Sequence, residues 1–236
     1  MPTCSAIVAA AGLGARMGGP QPKQFLPLAG RPVLVHALEA FGHCPEIAEI
    51  CLVVREQEIE RVRRVAAEAA LQKITRVIGG GEVRQDSVYN GLLALSGSEF
   101  VVVHDGVRPL VVPESITAVV HAAREIGAAT LATKVQETVK VVHDGLVVRT
   151  VDRAPLWTVQ TPQAFRYALL RAAHERARTE GFVGTDDAML VERLGHPVRV
   201  VPGRIDNLKI STAGDLALAE AIVAGRLAAD AGWHRL

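Results

Sequence analysis

Ser5-Ala-Ile-Val-Ala-Ala-Ala-Gly-Leu-Gly-Ala-Arg-Met-Gly18, followed closely by Pro22-Lys23-Gln24-Phe25, decides how this chain is read. Ser5 to Ala10 is a short apolar run, the pattern of a buried strand. It stops at a turn carrying Gly12 and Gly14, where missing side chains let the backbone approach a ligand. The N–H groups of such a turn can form a concave anion site. Arg16 and Lys23 bring two positive charges to the same strand end. The combination suits a nucleoside triphosphate. It is not the dinucleotide fingerprint, because Met17 stands where a third glycine belongs. It is not a phosphate-binding P-loop, because no Gly-Lys-Ser/Thr closes it. Alone, the loop also fits a tight strand-to-helix turn with two surface cations.

The chain has 236 residues, 49% of them hydrophobic and 4% aromatic, so its core is built from Ala, Val and Leu. That length buries a sizeable core without staples. A net charge of +1 gives no global basic field, so nucleic acid is not expected as a partner and any anion site is local. Cys4, Cys44 and Cys51 have no metal-ligand spacing. Cys4 and Cys51 sit in strand-like runs and read as buried thiols in a reducing compartment. Met1-Pro-Thr-Cys leads straight into a strand without a signal-peptide pattern. No apolar run reaches the ~18 residues of a membrane span. A cytoplasmic chain is therefore expected, with no membrane partner.

Past the loop, Pro32 suits the first turn of a helix, continued by Val33, Leu34, Ala37, Leu38 and Phe41 at helical spacing. Residues 49–54, 74–78 and 100–103 read as further buried strands. They alternate with helices over 57–71, 82–95 and 113–126. This predicts an α/β fold, a Rossmann-like, doubly wound, mostly parallel sheet. The pattern then changes to short strands over 128–135, 137–142 and 146–151. Asp144-Gly145 between the last two is a hairpin signal. This hairpin either lies on its own domain or projects and packs on a second subunit; its few large apolar residues favour projection. Leu156 to Gln163 reads as an extended loop. Helices over 165–180 and 185–194, a strand over 198–201 and a closing helix over 212–227 complete the chain. The reading is one domain, 1–236, with a β-arm at about 134–152.

In open α/β sheets, ligands bind beyond the carboxyl ends of the strands. Gly12-x-Gly14-x-Arg16, Gly79-Gly80-Gly81 and Asp105-Gly106-x-Arg108 all fall at such ends. Arg16, Lys23, Arg108, Arg153 and Lys209 are candidates for one electropositive pocket. Two phosphorylated ligands repel unless such charges offset them, and in phosphoryl-type transfer positioning and charge stabilisation carry most of the catalysis. No activated Ser, Cys or His nucleophile is evident, which suits direct attack of one substrate on the other. Arg61, Arg63, Arg64, Arg171, Arg176 and Arg178 lie on helices and read as solvated surface.

In order, Ala10-Ala-Gly-Leu-Gly-Ala-Arg-Met17, Pro22-Lys-Gln-Phe25, Gly80-Gly-x-x-Arg84-x-x-Ser87-Val, His104-Asp-x-x-Arg-Pro109, Val151-Asp-Arg153, Leu156-Trp157, Gln160-Thr-Pro-Gln163, Thr185-Asp186 and Asp206-Asn-x-Lys209 span nearly the whole chain. Together they resemble the 2-C-methyl-D-erythritol 4-phosphate cytidylyltransferases of non-mevalonate isoprenoid synthesis. The resemblance implies transfer of CMP from CTP to methylerythritol phosphate, with Mg²⁺ and release of pyrophosphate. It implies that Arg16 and Lys23 hold the triphosphate and stabilise the transition state, and that Arg153 and Lys209 position the attacking phosphate. Ala10, Ala11, Gly12, Gly14, Gly81 and Ser87 would line the CTP site. Asp105, Arg108, Thr138, Thr161 and Thr185 would surround the second substrate or ribose, with Asp105 also a candidate metal ligand. The hairpin resembles the family's dimer arm, which implies a homodimer with Thr138 and Arg153 acting across the interface.

One motif departs from the family's pattern: Gly106 and Val107 stand where two alanines are usual, which is expected to loosen the backbone and add bulk beside Asp105. Two alternatives remain at this stage. One is another CTP-using enzyme, such as a ribitol 5-phosphate cytidylyltransferase. The other is a non-catalytic nucleotide-binding module, against which Arg16 and Lys23 both argue.

Overall fold

The computed structural model describes residues 3–12, 21–95 and 97–233. Arg16 and Gly14, both expected in the site, lie outside these residues. A seven-stranded sheet organises the rest. Its strands are β1 (Cys4–Ala9), β4 (Glu49–Val54), β5 (Ile74–Gly79), β6 (Phe100–Asp105), β7 (Ala128–Lys134), β10 (Trp157–Arg166) and β11 (Arg199–Pro202), in the order β11-β7-β10-β6-β1-β4-β5. The two-residue strands β2 (Pro27–Leu28) and β3 (Arg31–Pro32) pair beside it.

Alternation along the strands sends side chains to two cores. Ala6, Val8, Leu52 and Val102 face α1 (Val33–His43), α2 (Ile59–Glu68) and α4 (Pro113–Ile126). Ile7, Cys51, Val53, Val101 and Val103 face α3 (Arg84–Ala94), α5 (Tyr167–Thr179) and α6 (Asp187–Arg193). Both faces are covered, as the near-continuous apolar strands require. Local signals set the helix ends. Pro113 starts α4 and Gly127, at φ 95°, ends it. Thr212 and Asp215 cap each other's backbone N–H groups at the start of α7 (Ala213–Trp233).

The expected parallel alternation holds for β1, β4, β5 and β6. One element departs from expectation. Residues 156–163, read as a loop, contribute most of β10, which inserts antiparallel between β6 and β7. Its sequence is polar and contains Pro162, so it lacks an apolar strand pattern. Its stretch 160–165 is buried because its polar groups are paired. The fully buried Gln163 donates to Thr130 Oγ1 (2.9 Å) and Asp186 Oδ2 (2.8 Å), and its Oε1 accepts from the Ala188 N–H (3.2 Å).

The strands β8 (Val139–His143) and β9 (Leu146–Val151) form a separate two-stranded sheet around the turn Asp144-Gly145, both with positive φ. Val142, Val147 and Val148 are more than half exposed and Leu146 is 74% exposed. Both strands are exposed along nearly their whole length.

From β1 the chain moves out to β4 and β5, then returns to β6 on the other side of β1. That reversal opens a crevice beyond the carboxyl ends of β1 and β6.

Candidate active site

Three strand ends build the first wall of the crevice. After β1, the Ala10 N–H donates to the Val53 carbonyl at 2.7 Å, which carries Ala11 and Gly12 out over the sheet. Lys23 is brought alongside by its neighbours. Phe25 is buried in the core beneath the Arg61 guanidinium, and the buried Gln24 donates to the Ala10 carbonyl at 2.9 Å. After β5, Gly80 passes so close to Ala11 that a Cβ there would sit 2.5 Å from the Ala11 Cβ. The Ser87 hydroxyl then accepts from the Gly81 N–H (3.1 Å) and donates to the Val83 carbonyl (3.2 Å), fixing the loop ahead of α3.

Asp105 ends β6 and is a charge hub. Its Oδ1 accepts from Arg84 Nε (2.8 Å), its Oδ2 from Lys209 Nζ (2.8 Å), and Arg108 Nε stands 3.8 Å from Oδ2. Burial by itself would raise the carboxyl's pKa. Arg84 and Lys209 outweigh it and hold the group well below the usual carboxylate range. Lys209 reaches Asp105 because its segment is pinned on both sides. The buried Asn207 donates to the Thr161 carbonyl (2.9 Å) and the Gln160 side chain (3.2 Å), while the Ile210 N–H donates to the Val107 carbonyl (2.9 Å). Arg108 in turn donates to the Asn207 carbonyl at 2.9 Å.

Behind Asp105, the buried His104 ring donates from Nε2 to the Arg108 carbonyl (3.2 Å) and accepts at Nδ1 from the Thr161 hydroxyl (3.0 Å). The same hydroxyl oxygen accepts from the Asp105 N–H at 3.0 Å. Burial pushes the His104 pKa down to about 4, so the ring is neutral and its tautomer is set by these partners.

Two adjoining cavities result. Ala10, Ala11, Gly12, Lys23, Gly81 and Ser87 line the first. Arg108, Thr161 and Thr185 line the second. Arg84, Asp105 and Lys209 line both and form the wall between them. The geometry therefore gathers eleven expected site residues at one place. Thr161 is at the cavity, but its hydroxyl proton is committed to His104. The exposed Thr138 and Arg153 are not among the residues lining either cavity; they lie at the base of the hairpin, where Arg153 donates to the Gln136 carbonyl.

Sequence reasoning left Arg84 without a role, although it stands in the quoted Gly80-to-Val88 motif. Asp187, legible only as an acidic first-turn residue, accepts from Arg84 Nη1 at 2.7 Å, and Asn207 stands in the quoted Asp206-to-Lys209 motif without a role of its own. Their signal was type and place: an arginine at a helix start facing a strand end, an aspartate in the first turn of α6, and an asparagine in an irregular segment with no helical face to expose it. No group of three or more His, Cys, Asp or Glu able to hold a metal ion occurs among the described residues. Both Asp105 oxygens are engaged by cations, so the described side chains do not build a Mg²⁺ cage.

A two-compartment crevice with cations on the dividing wall can hold two anionic ligands end to end. The chain is similar along nearly its whole length to known proteins of one family. A family profile described as 2-C-methyl-D-erythritol 4-phosphate cytidylyltransferase matches residues 4–225. The protein of that name from Pelotomaculum thermopropionicum is 49% identical over 96% of this chain and 96% of its own. That from Geobacillus kaustophilus is 47% identical over 94% and 98%. The crystal structure of 4-diphosphocytidyl-2C-methyl-D-erythritol synthase from Anaerococcus prevotii superposes with a TM-score of 0.84 at 35% identity, over 94% of this chain and 96% of that one. The cytidylyltransferase from Thermus thermophilus gives 0.80 at 34% identity, over 95% and 100%. The chain belongs to the 2-C-methyl-D-erythritol 4-phosphate cytidylyltransferase family.

Proposed function

We propose that this chain transfers the cytidylyl group of CTP to 2-C-methyl-D-erythritol 4-phosphate. The observation that carries the reading is the pair of cavities divided by Arg84, Asp105 and Lys209 at the β1/β6 crevice. CTP takes the first cavity, with its base and ribose against residues 10–12, Gly81 and Ser87 and its phosphates toward Lys23 and Arg16. The alcohol phosphate takes the second, among Arg108, Thr161 and Thr185. A phosphate oxygen of the alcohol phosphate attacks the α-phosphorus. A new P–O–P linkage forms, the bond to the β-phosphate oxygen breaks, and pyrophosphate leaves with the electron pair. Lys23 and Arg16 offset charge on the α-phosphate and leaving group, while Lys209 aims the attacking phosphate. Asp105 serves as the anchor of the cations rather than as a metal ligand. Magnesium would supply charge neutralisation on the phosphates; none of the residue roles depends on it.

A cytoplasmic homodimer is part of the same proposal. The projecting hairpin carries exposed apolar residues that a second copy would cover, and it would bring Thr138 and Arg153 to the partner's second cavity. The test is pyrophosphate release with Mg²⁺, CTP and 2-C-methyl-D-erythritol 4-phosphate, with ATP, UTP and ribitol 5-phosphate as controls. Release that requires both CTP and the methylerythritol phosphate is expected. A preference for ribitol 5-phosphate would overturn the assignment of the acceptor.

A further inference from the structure

An unbroken chain of polar contacts runs beneath the two cavities. His174 Nε2 lies 3.0 Å from Asp187 Oδ1, and Asp187 Oδ2 accepts from Arg84 Nη1 at 2.7 Å. Arg84 Nε donates to Asp105 Oδ1 at 2.8 Å, and Asp105 Oδ2 holds Lys209 Nζ at 2.8 Å. The chain begins in the core, where His174 is 0% and Asp187 is 1% exposed, and ends at the wall between the cavities.

Burying carboxylates is costly unless each is paired in good geometry. Here one guanidinium serves two of them, using donors that point in different directions from one rigid plane. A lysine ammonium has no such fork. We infer that Arg84 is a positioning residue for the proposed transfer: by tying Asp105 to Asp187 it leaves one Asp105 oxygen to fix Lys209 at the dividing wall. The inference rests on the cytidylyl-transfer reading.

The competition behind this is simple. Asp105 has two oxygens, and Arg84 takes only one because its other arm is spent on Asp187. Without the Asp187 charge, Arg84 is free to grip Asp105 through both oxygens, the preferred fork-to-fork pairing. Lys209 then loses its anchor and faces the second cavity as a loosely held cation.

The experiment compares Arg84→Lys, Asp187→Asn and the double variant by steady-state kinetics, and solves the crystal structure of Asp187→Asn. Each single variant is expected to lower kcat/KM for the alcohol phosphate by about 100-fold, the cost of a small misplacement of a reacting group. The double variant is expected to lose no more than either single, since each breaks the same clamp. Arg84→Lys keeps the charge without the fork, so it is expected not to rescue. In the crystal, Lys209 Nζ is expected beyond hydrogen-bond reach of Asp105 with the backbone unchanged. Near-normal kcat/KM in Arg84→Lys, losses that multiply in the double variant, or Lys209 still seated on Asp105 would each overturn the inference. Should Asp187→Asn not fold, the kinetics of Arg84→Lys carry the test. Should the wild-type chain release no pyrophosphate, the transfer reading fails, while the Lys209 position in the crystal still decides the clamp.

Discussion

Gln24 Nε2 donates a 2.9 Å hydrogen bond to the Ala10 carbonyl, tying the turn that carries Lys23 to the end of β1. Two stretches of cavity wall, separated by the glycine-rich loop in sequence, are held together by one buried amide.

Gln24→Ala removes that donor from a buried carbonyl. The expected cost is about 1–3 kcal/mol of stability, read from urea unfolding. KM for CTP is expected to rise because Lys23 loses its tether. Unchanged stability together with unchanged KM would show that the tether does not set the position of Lys23.

Gly106 was expected to loosen the backbone, but the structure packs it tightly. A Cβ there would sit 2.8 Å from Leu34 Cδ1 and 3.0 Å from the Ala10 Cβ. Leu34 fills the space that a methyl group at position 106 would need. Gly106→Ala is therefore expected to destabilise by about 1–3 kcal/mol through overpacking. Gly106→Ala combined with Leu34→Val should recover part of the loss. Thermal and urea unfolding of the two variants check this, and a stabilised single variant would contradict the packing account.

Acid is expected to weaken the fold in two steps. The folded His104 has its pKa depressed to about 4 from an ordinary 6.5. Between those values the unfolded chain binds a proton that the native ring does not. Stability therefore falls as pH drops through that window, by at most about 1.4 kcal/mol per pH unit for one such group. His36, also lowered by burial, adds in the same direction. Asp105 and Asp187 are held below the ordinary 3.8, so their contribution is intact above that value and is lost only at still lower pH. Urea unfolding at a series of pH values should show a shallower slope for His104→Asn than for the wild type across the His104 window. Equal slopes would remove His104 as the source.

The hairpin makes a prediction about mixing. If Arg153 works in the partner's cavity, Lys23→Ala and Arg153→Ala homodimers are each strongly impaired, yet co-refolding them regains activity, because one site of each mixed dimer carries neither change. Lys23→Ala is expected to cost about 3 kcal/mol in the transition state, by analogy with loss of one oxyanion donor. Absence of recovery, with mixed dimers demonstrated by mass spectrometry, would place Arg153 in its own chain's site or outside any site.

The sequence by itself determined the parallel core, because apolar runs of strand length between amphipathic helices report burial on both faces of a sheet. It also pointed to the strand ends where the two cavities lie, since glycine-rich turns and charged residues cluster where those runs stop. The hairpin was legible from Asp144-Gly145, a local turn preference. Only the tertiary structure decided β10. Gln160, Thr161 and Gln163 look like loop residues until Asn207, Asp186 and the His104 region supply their hydrogen-bond partners. Only the tertiary structure decided that Thr161 holds a histidine, and that Arg84 spans two carboxylates, one of them 103 residues away. The reason is physical. Periodicity and turn chemistry are carried by neighbouring residues, whereas buried polar groups take their meaning from partners that only the folded chain brings within hydrogen-bond reach.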